Sequence, residues 1–112
     1  MLPYMASGAA MACEDAAVLR RVLAKSSKET VPSSLQEYQR IRQPRASAVQ
    51  KAGRTLQYWY HIDDGEEQVR RDELMVQDVH ANPIFWGHKA RRDWLFGHDA
   101  ESATAHDSHI SY

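Results

Sequence analysis

The residues best suited to chemistry lie at the start of the chain, where residues 3–10 read Pro-Tyr-Met-Ala-Ser-Gly-Ala-Ala. The pattern indicates a loop entering a helix, and the first amides of a helix have no partner within it, so they attract anions and partly negative oxygens. Gly8 permits close backbone approach, and the small side chains of Ala9 and Ala10 leave room for a flat ligand. Spacing alone favours a simpler interpretation, a plain helix capped by Ser7.

The histidines and the cysteine form weaker patterns. His106 and His109 are three residues apart, a spacing used by zinc ligands, but they stand in a polar tail without a convincing third ligand. His80 and His88 flank an Asn-Pro turn and show no partner pattern. Cys13 lies beside an apolar helix stripe and is expected to be buried. The sequence therefore predicts no catalytic residue and no metal site.

Two charged clusters have structural explanations. Residues 63–67, Asp-Asp-Gly-Glu-Glu, lack the alternating oxygen ligands of a calcium loop and are interpreted as the acidic start of a helix. Arg40, Arg42 and Arg45 suit phosphate, but a solvated face or salt bridges to neighbouring acids are favoured.

Helices must position all of these residues. The patterns predict helices over about residues 8–26, 34–60, 66–79 and 90–96, and the second of these should be kinked or divided by Pro44. The predicted apolar stripe of the first helix consists of Ala12, Ala16, Leu19 and Leu23. Since no stretch alternates well enough for a strand, the predicted fold is mainly α.

Composition narrows the class of protein. The chain has 112 residues, of which 43% are hydrophobic and 26% charged, as in a small globular domain. We expect one domain over residues 1–100 and a disordered polar tail over residues 101–112. A net charge of −1 gives no electrostatic case for nucleic acid or an anionic membrane. No apolar run could span a bilayer, and the single cysteine favours a reducing compartment, which we expect to be the cytoplasm.

Residues 3–19 resemble the second flavin-contacting motif of the single-component, FAD-dependent aromatic hydroxylases, particularly the salicylate hydroxylase-like group. That motif has Pro, a loop ending in Gly, then Glu-Asp-Ala followed by Leu. The residues that match it in spacing are Pro3, Gly8, Glu14, Asp15, Ala16 and Leu19. Residue 7 is often Gln in the family and is Ser here, a change that affects a side-chain contact but not backbone contacts.

Two later segments resemble the same family, in the same order. Residues 38–45 resemble its Tyr-x-x-x-Arg-x-Pro-Arg helix. Asn82 and Pro83, followed by residues 93–100, resemble the Trp-Leu-Tyr/Phe-Gly-x-Asp ending of many salicylate hydroxylase-like chains. The three segments cover almost the whole chain except the tail, and they indicate the family rather than the substrate.

The resemblance implies the helical C-terminal portion of a flavin monooxygenase, with FAD as cofactor, NAD(P)H as co-substrate and an aromatic small molecule as substrate. Pro3 would lie beside the flavin ring, and the amides of Gly8, Ala9 and Ala10 would face its pyrimidine side. The dinucleotide-binding βαβ unit with its G-x-G-x-x-G motif is absent, as is the substrate-binding sheet. We therefore expect Met1 to be an internal position of a longer protein, and the chain alone to be inactive.

The alternative is a non-enzymatic helical interaction module. Its exposed apolar helix faces would then associate with a partner or with a second copy of the chain.

Overall fold

The structure, a computed structural model, describes residues 1–104 and is mainly helical. Its elements are α1 (Gly8–Leu23), α2 (Val31–Tyr60), α3 (Glu66–Met75) and α4 (Lys89–Phe96), with short 3-10 turns at Pro3–Met5 and Phe85–Gly87. Residues 1–104 contain no strand, so neither a βαβ unit nor a substrate sheet is present among them. The prediction of a mainly α fold is confirmed.

Contacts along the chain define two compact units. The first unit consists of Met1–Met5 and Gln50–His98, and the second consists of Ala6–Val49 and, among the described residues, 99–104. Helix α2 contributes its N-terminal part to the second unit and its C-terminal part to the first.

In the second unit, α1 buries a different face from the one its alanines suggest. Met11 and Val18 are buried and Val22 is half-buried, whereas Ala12 and Ala16 are exposed. Leu19 and Leu23, the other members of the predicted stripe, are half-buried. The most buried face is therefore rotated by about 100° from the predicted one, in a helix of 3.6 residues per turn. Met and Val remove more apolar surface from water than Ala does, so packing favours the observed face.

The core of the second unit includes residues from the predicted tail. Val18, Ile41 and Ala103 form a buried cluster, and Val22, Tyr38 and Ala100 pack against it. The Arg21 guanidinium donates hydrogen bonds to the carbonyls of Glu101 (2.7 Å) and Ala103 (2.6 Å). Residues at the start of the predicted tail thus contact the folded unit. The remainder of that tail, including His106 and His109, lies outside the described residues.

Helix α2 begins earlier than predicted and continues through its internal proline. It starts at Val31, and its first turn includes Pro32. A proline is tolerated in the first turn of a helix, because the backbone N–H groups there have no hydrogen-bond acceptor within the helix. Pro44 does not divide the helix, although it removes one backbone donor. Ile41 and Arg45, on either side of it, are buried. Burial of both flanks stabilises the helix across the proline.

In the first unit, a buried asparagine ends α3. The Asn82 side-chain amide donates to the carbonyls of Met75 (3.2 Å) and Gln77 (2.6 Å), and its oxygen accepts from the amide of Ile84 (2.8 Å). These bonds satisfy carbonyls at the helix C-terminus, which have no partner within the helix. Helix α3 therefore ends at Met75 rather than near residue 79, as the sequence pattern predicted.

The same asparagine requires a glycine at residue 87. A Cβ atom at Gly87 would lie 2.5–2.6 Å from the side-chain atoms of Asn82, which its hydrogen bonds hold in place. A Cβ atom at Gly8, in contrast, would meet nothing within 4 Å.

We expect Gly87→Ala to lower the free energy of unfolding by about 1–3 kcal/mol, the usual range for overpacking. Gly8→Ala is the matched control and should be neutral or stabilising by up to about 1 kcal/mol, because alanine favours helix more than glycine does. Urea unfolding followed by circular dichroism measures both. Equal stabilities for the two variants would contradict the close contact between Gly87 and Asn82.

Candidate functional site

The N-terminus of α1 presents three backbone amides to solvent. The first hydrogen bond within the helix runs from the Met11 amide to the Ser7 carbonyl (2.9 Å). Gly8, Ala9 and Ala10 are exposed, and their amides have no hydrogen-bond acceptor in the part of the chain that the structure describes. Ser7 is the N-cap residue, as predicted, but its side chain makes no capping bond to them.

Nothing in the described chain requires a glycine at position 8. Its side of the helix faces open space, and its backbone lies outside the left-handed region that favours glycine. The missing side chain therefore leaves space that a group from outside could occupy close to the three amides.

The residue two positions before Gly8 is strained. Ala6 has φ +49°, in the left-handed region that costs a non-glycine residue roughly 1–2 kcal/mol. Such strain persists where the surrounding structure fixes the backbone, and Ser7, which follows, is buried. The helix entry is thus a defined turn in the second unit.

Pro3 lies in the other unit. It occupies the exposed 3-10 turn at Pro3–Met5, where Met5 is buried and its Cγ lies 3.6 Å from the Cβ position of Gly53. In the same turn, the Tyr4 hydroxyl is hydrogen-bonded to His61 Nε2 (2.9 Å). Of the four predicted cofactor-binding residues, the structure brings Gly8, Ala9 and Ala10 together in one unit and assigns Pro3 to the other.

A buried ionic cluster joins α1 to α2 within the second unit. Glu14 Oε2 accepts from Arg45 Nε (2.7 Å) and from Arg42 Nη1 (2.7 Å), while Glu14 Oε1 accepts from Arg45 Nη2 (2.9 Å). Arg42 Nε also donates to Asp15 Oδ1 (2.7 Å), and its Nη2 lies 3.7 Å from the sulfur of Met11. The cluster holds two positive and two negative charges, and its first charged residue, Glu14, is four residues after Ala10.

Burial makes this cluster sensitive to the loss of any member. The exposed fraction is 0% for Arg45, 3% for Arg42 and 15% for Glu14. Burial by itself would raise the pKa of the Glu14 carboxyl. Hydrogen bonds from Arg45 and Arg42, together with their charges, outweigh this effect and lower the pKa from its ordinary value. Glu14 is thus held as a carboxylate between two guanidinium groups.

The pairing gives roles to residues that the sequence left unassigned. Glu14 and Asp15 had no predicted partner, and Arg42 and Arg45 were weighed as phosphate ligands or salt-bridge partners. Their guanidinium groups bind carboxylates, so the salt-bridge interpretation is right for both. Only Arg40 lies on the exposed face, where it pairs with Glu37.

A signal for this pairing was present in the helix periodicity. Positions 42, 45, 49, 52 and 56 lie at i, i+3, i+7, i+10 and i+14, so both arginines continue the buried stripe of Val49, Ala52 and Leu56. An arginine on a buried face needs an acidic partner.

The other candidate sites are less developed. Cys13 is exposed, so the prediction that it is buried is wrong. Glu66 and Glu67 occupy the first turn of α3, as predicted for the acidic cluster. In the first unit, a cleft of about 780 Å³ is lined by Tyr4, Arg54 and the acidic residues 63–67, among others. Its excess of carboxylates does not suit an anionic ligand.

Residues 1–104 contain no helix able to span a bilayer and no group of three or more metal-ligating side chains.

The sequence is similar to several known monooxygenases. Over 104 residues, 89% of this chain, the sequence is 36% identical to the FAD-dependent monooxygenase OpS4 of Beauveria bassiana. It is 34% identical over 107 residues, 94% of the chain, to the salicylate hydroxylase of Pseudomonas putida. It is 33% identical over 90 residues, 80% of the chain, to the 6-hydroxynicotinate 3-monooxygenase of Bordetella bronchiseptica. Over most of its length, the chain is thus similar to FAD-dependent monooxygenases.

The match covers a limited part of these monooxygenases. The chain spans 24% of the length of OpS4 and 22% of the length of each of the other two relatives. No family model matches the chain. No solved structure matches it either.

Because Glu14 lies between two buried arginines, Glu14→Gln should lower the free energy of unfolding by about 3–5 kcal/mol, the range for breaking a buried ion pair. Arg40→Gln is the matched control, because it removes an exposed pair worth about 0–1 kcal/mol. Urea unfolding of both variants and the parent chain tests the difference. Similar losses of unfolding free energy in the two variants would show that burial does not increase the contribution of the Glu14 cluster to stability.

The lowered pKa of Glu14 also predicts a pH dependence. A group whose pKa is lower in the folded state stabilises the fold fully above its unfolded pKa, and this contribution is lost as the pH falls through the folded pKa. We expect the stability difference between the parent chain and Glu14→Gln to be constant near neutral pH and to shrink as the pH falls below about 4.5. Urea midpoints of both proteins across this range measure it, and a difference independent of pH would contradict the cluster's role.

Proposed function

We propose that this chain supplies the helix end that contacts the flavin ring in an FAD-dependent monooxygenase that hydroxylates an aromatic substrate and uses NAD(P)H. The observation that carries the proposal is the set of three amides without acceptors at Gly8, Ala9 and Ala10, beside open space. Support comes from the relatives, which include salicylate hydroxylase and 6-hydroxynicotinate 3-monooxygenase.

The residues present fit a flavin ring. Bound FAD would take electrons from NAD(P)H and activate O₂ as the source of the inserted oxygen atom. In this proposal the amides of Gly8, Ala9 and Ala10 donate to the pyrimidine side of the ring, where negative charge builds on reduction. The dipole of α1 favours that charge by roughly 0.3–1 kcal/mol, and more if the site is buried.

The remainder of the cofactor needs a binding element that this sequence lacks. It contains no G-x-G-x-x-G, the motif that places a pyrophosphate at a helix N-terminus. We therefore propose that the chain corresponds to the C-terminal helical part of the enzyme and is inactive alone.

The non-enzymatic interaction module is less well supported. Its basis is the exposure of apolar side chains such as Val76 and Phe96. Exposed apolar residues are ordinary on protein surfaces, so they do not by themselves mark an interface. The relatives that match along most of the chain are monooxygenases.

The proposal is tested by comparing the chain alone with a chimera. In the chimera, this chain replaces the aligned segment of the Pseudomonas putida salicylate hydroxylase. We expect the purified chain to show neither micromolar FAD binding nor substrate-stimulated NAD(P)H oxidation, and the chimera to retain FAD. Quenching of flavin fluorescence and absorbance of NAD(P)H measure both. Stoichiometric micromolar binding by the chain alone would contradict its inactivity.

A pair of variants in the chimera tests the helix end itself. Gly8→Val fills the open space beside the amides and should weaken FAD binding by about tenfold, or roughly 1.4 kcal/mol. Ala16→Val, at another exposed position of α1, is the control and should bind FAD as the chimera does. If both variants bind FAD equally well, the N-terminus of α1 does not contact the flavin.

A further inference from the structure

Two histidines without any sequence pattern face each other in the first unit. The ring centroids of His80 and His88 are 5.6 Å apart, with an interplanar angle of 71°. His80 is exposed in the segment after α3, and His88 directly precedes α4. The sequence shows no pattern that pairs these residues, but the intervening turn brings their rings into edge-to-face contact.

Hydrogen bonds hold the segment that carries both histidines. Between them, Asn82 bonds to the end of α3 and to the amide of Ile84. The Asp78 carboxylate accepts from the amide of Lys89, the residue after His88 (2.7 Å). The two rings are thus held near each other before any ligand binds, which reduces the entropic cost of using them jointly.

The chemistry of the pair suits a metal ion. Neutral imidazole nitrogens bind Zn²⁺, Ni²⁺ and Cu²⁺. With metal–nitrogen distances of about 2.0–2.1 Å, a tetrahedral ion holds two such nitrogens about 3.4 Å apart. Because the nitrogens lie on the ring perimeter, a distance of 5.6 Å between the ring centroids is compatible with that separation.

One ring nitrogen of His88 is also without a hydrogen-bond partner in the described chain. This nitrogen, Nδ1, is buried. Buried polar atoms are normally satisfied, and an ordered water or an ion is a common reason for an apparent exception.

We propose that His80 and His88 together bind one divalent first-row transition-metal ion, with water completing its coordination. Water is needed because residues 1–104 contain no group of three metal-ligating side chains. The charges nearby are balanced: Lys89 pairs with Asp93, and an Arg92 nitrogen lies 3.8 Å from the Asp78 carboxylate. The site is separate from the helix end at Gly8, so it does not depend on the proposed function.

The test uses the full 112-residue chain with any purification tag removed. Ni²⁺ binding is measured by calorimetry, and Cu²⁺ binding by electron paramagnetic resonance, whose nitrogen hyperfine pattern counts the bound imidazoles. We expect one ion per chain with two imidazole nitrogens, and weaker binding as the pH falls, because protonated histidine does not bind metal.

His80→Gln is the main variant, because His80 is exposed and its replacement should leave the fold intact. It should weaken Ni²⁺ binding at least about tenfold and reduce the Cu²⁺ pattern to one nitrogen, as should His88→Gln. The double variant His106→Gln, His109→Gln removes the other histidine pair and should bind like the parent chain. Unchanged binding in His80→Gln, loss of binding in the tail variant, or absence of binding in the parent chain would overturn the proposal.

Discussion

The pairing of Glu14 with Arg42 and Arg45 is the interaction on which the second unit depends. Removing guanidinium groups from water costs several kcal/mol for each ion unless partners satisfy them, and here carboxylates lie at 2.7–2.9 Å. This requirement sets the rotation of α1, because Glu14 must face α2. Once Glu14 faces α2, Met11 and Val18 lie on the inner side, while Cys13 is exposed.

The cluster also relates two sequence motifs that are far apart along the chain. The Glu-Asp-Ala of the flavin motif and the Arg-x-Pro-Arg of the following helix bind each other rather than a ligand. Their shared role is to hold α1 in a fixed rotation, nearly two turns from its N-terminus. The amides of Gly8, Ala9 and Ala10 at that end remain free of partners in the described chain and available to an outside group.

Much of the helical pattern was predictable, and the errors have physical causes. Helix α4 and the end of α2 follow local signals, since apolar periodicity and turn residues act over a few positions. The end of α3 does not follow them, because the buried Asn82 binds carbonyls at Met75 and Gln77. The face of α1 was misjudged because alanines mark a helix without determining which side is buried.

The sequence by itself determined the mainly helical fold, the resemblance to the FAD-dependent monooxygenases and the position of the helix entry at Gly8. These features depend on residues close together along the chain. Only the tertiary structure decided that Glu14 binds Arg42 and Arg45, and that His80 meets His88. Such pairings depend on how helices pack and turns close, and the buried face of each helix determines them. In this chain, the periodicity of α2 places Arg42 and Arg45 on its buried face, but it does not show which acidic residues pair with them.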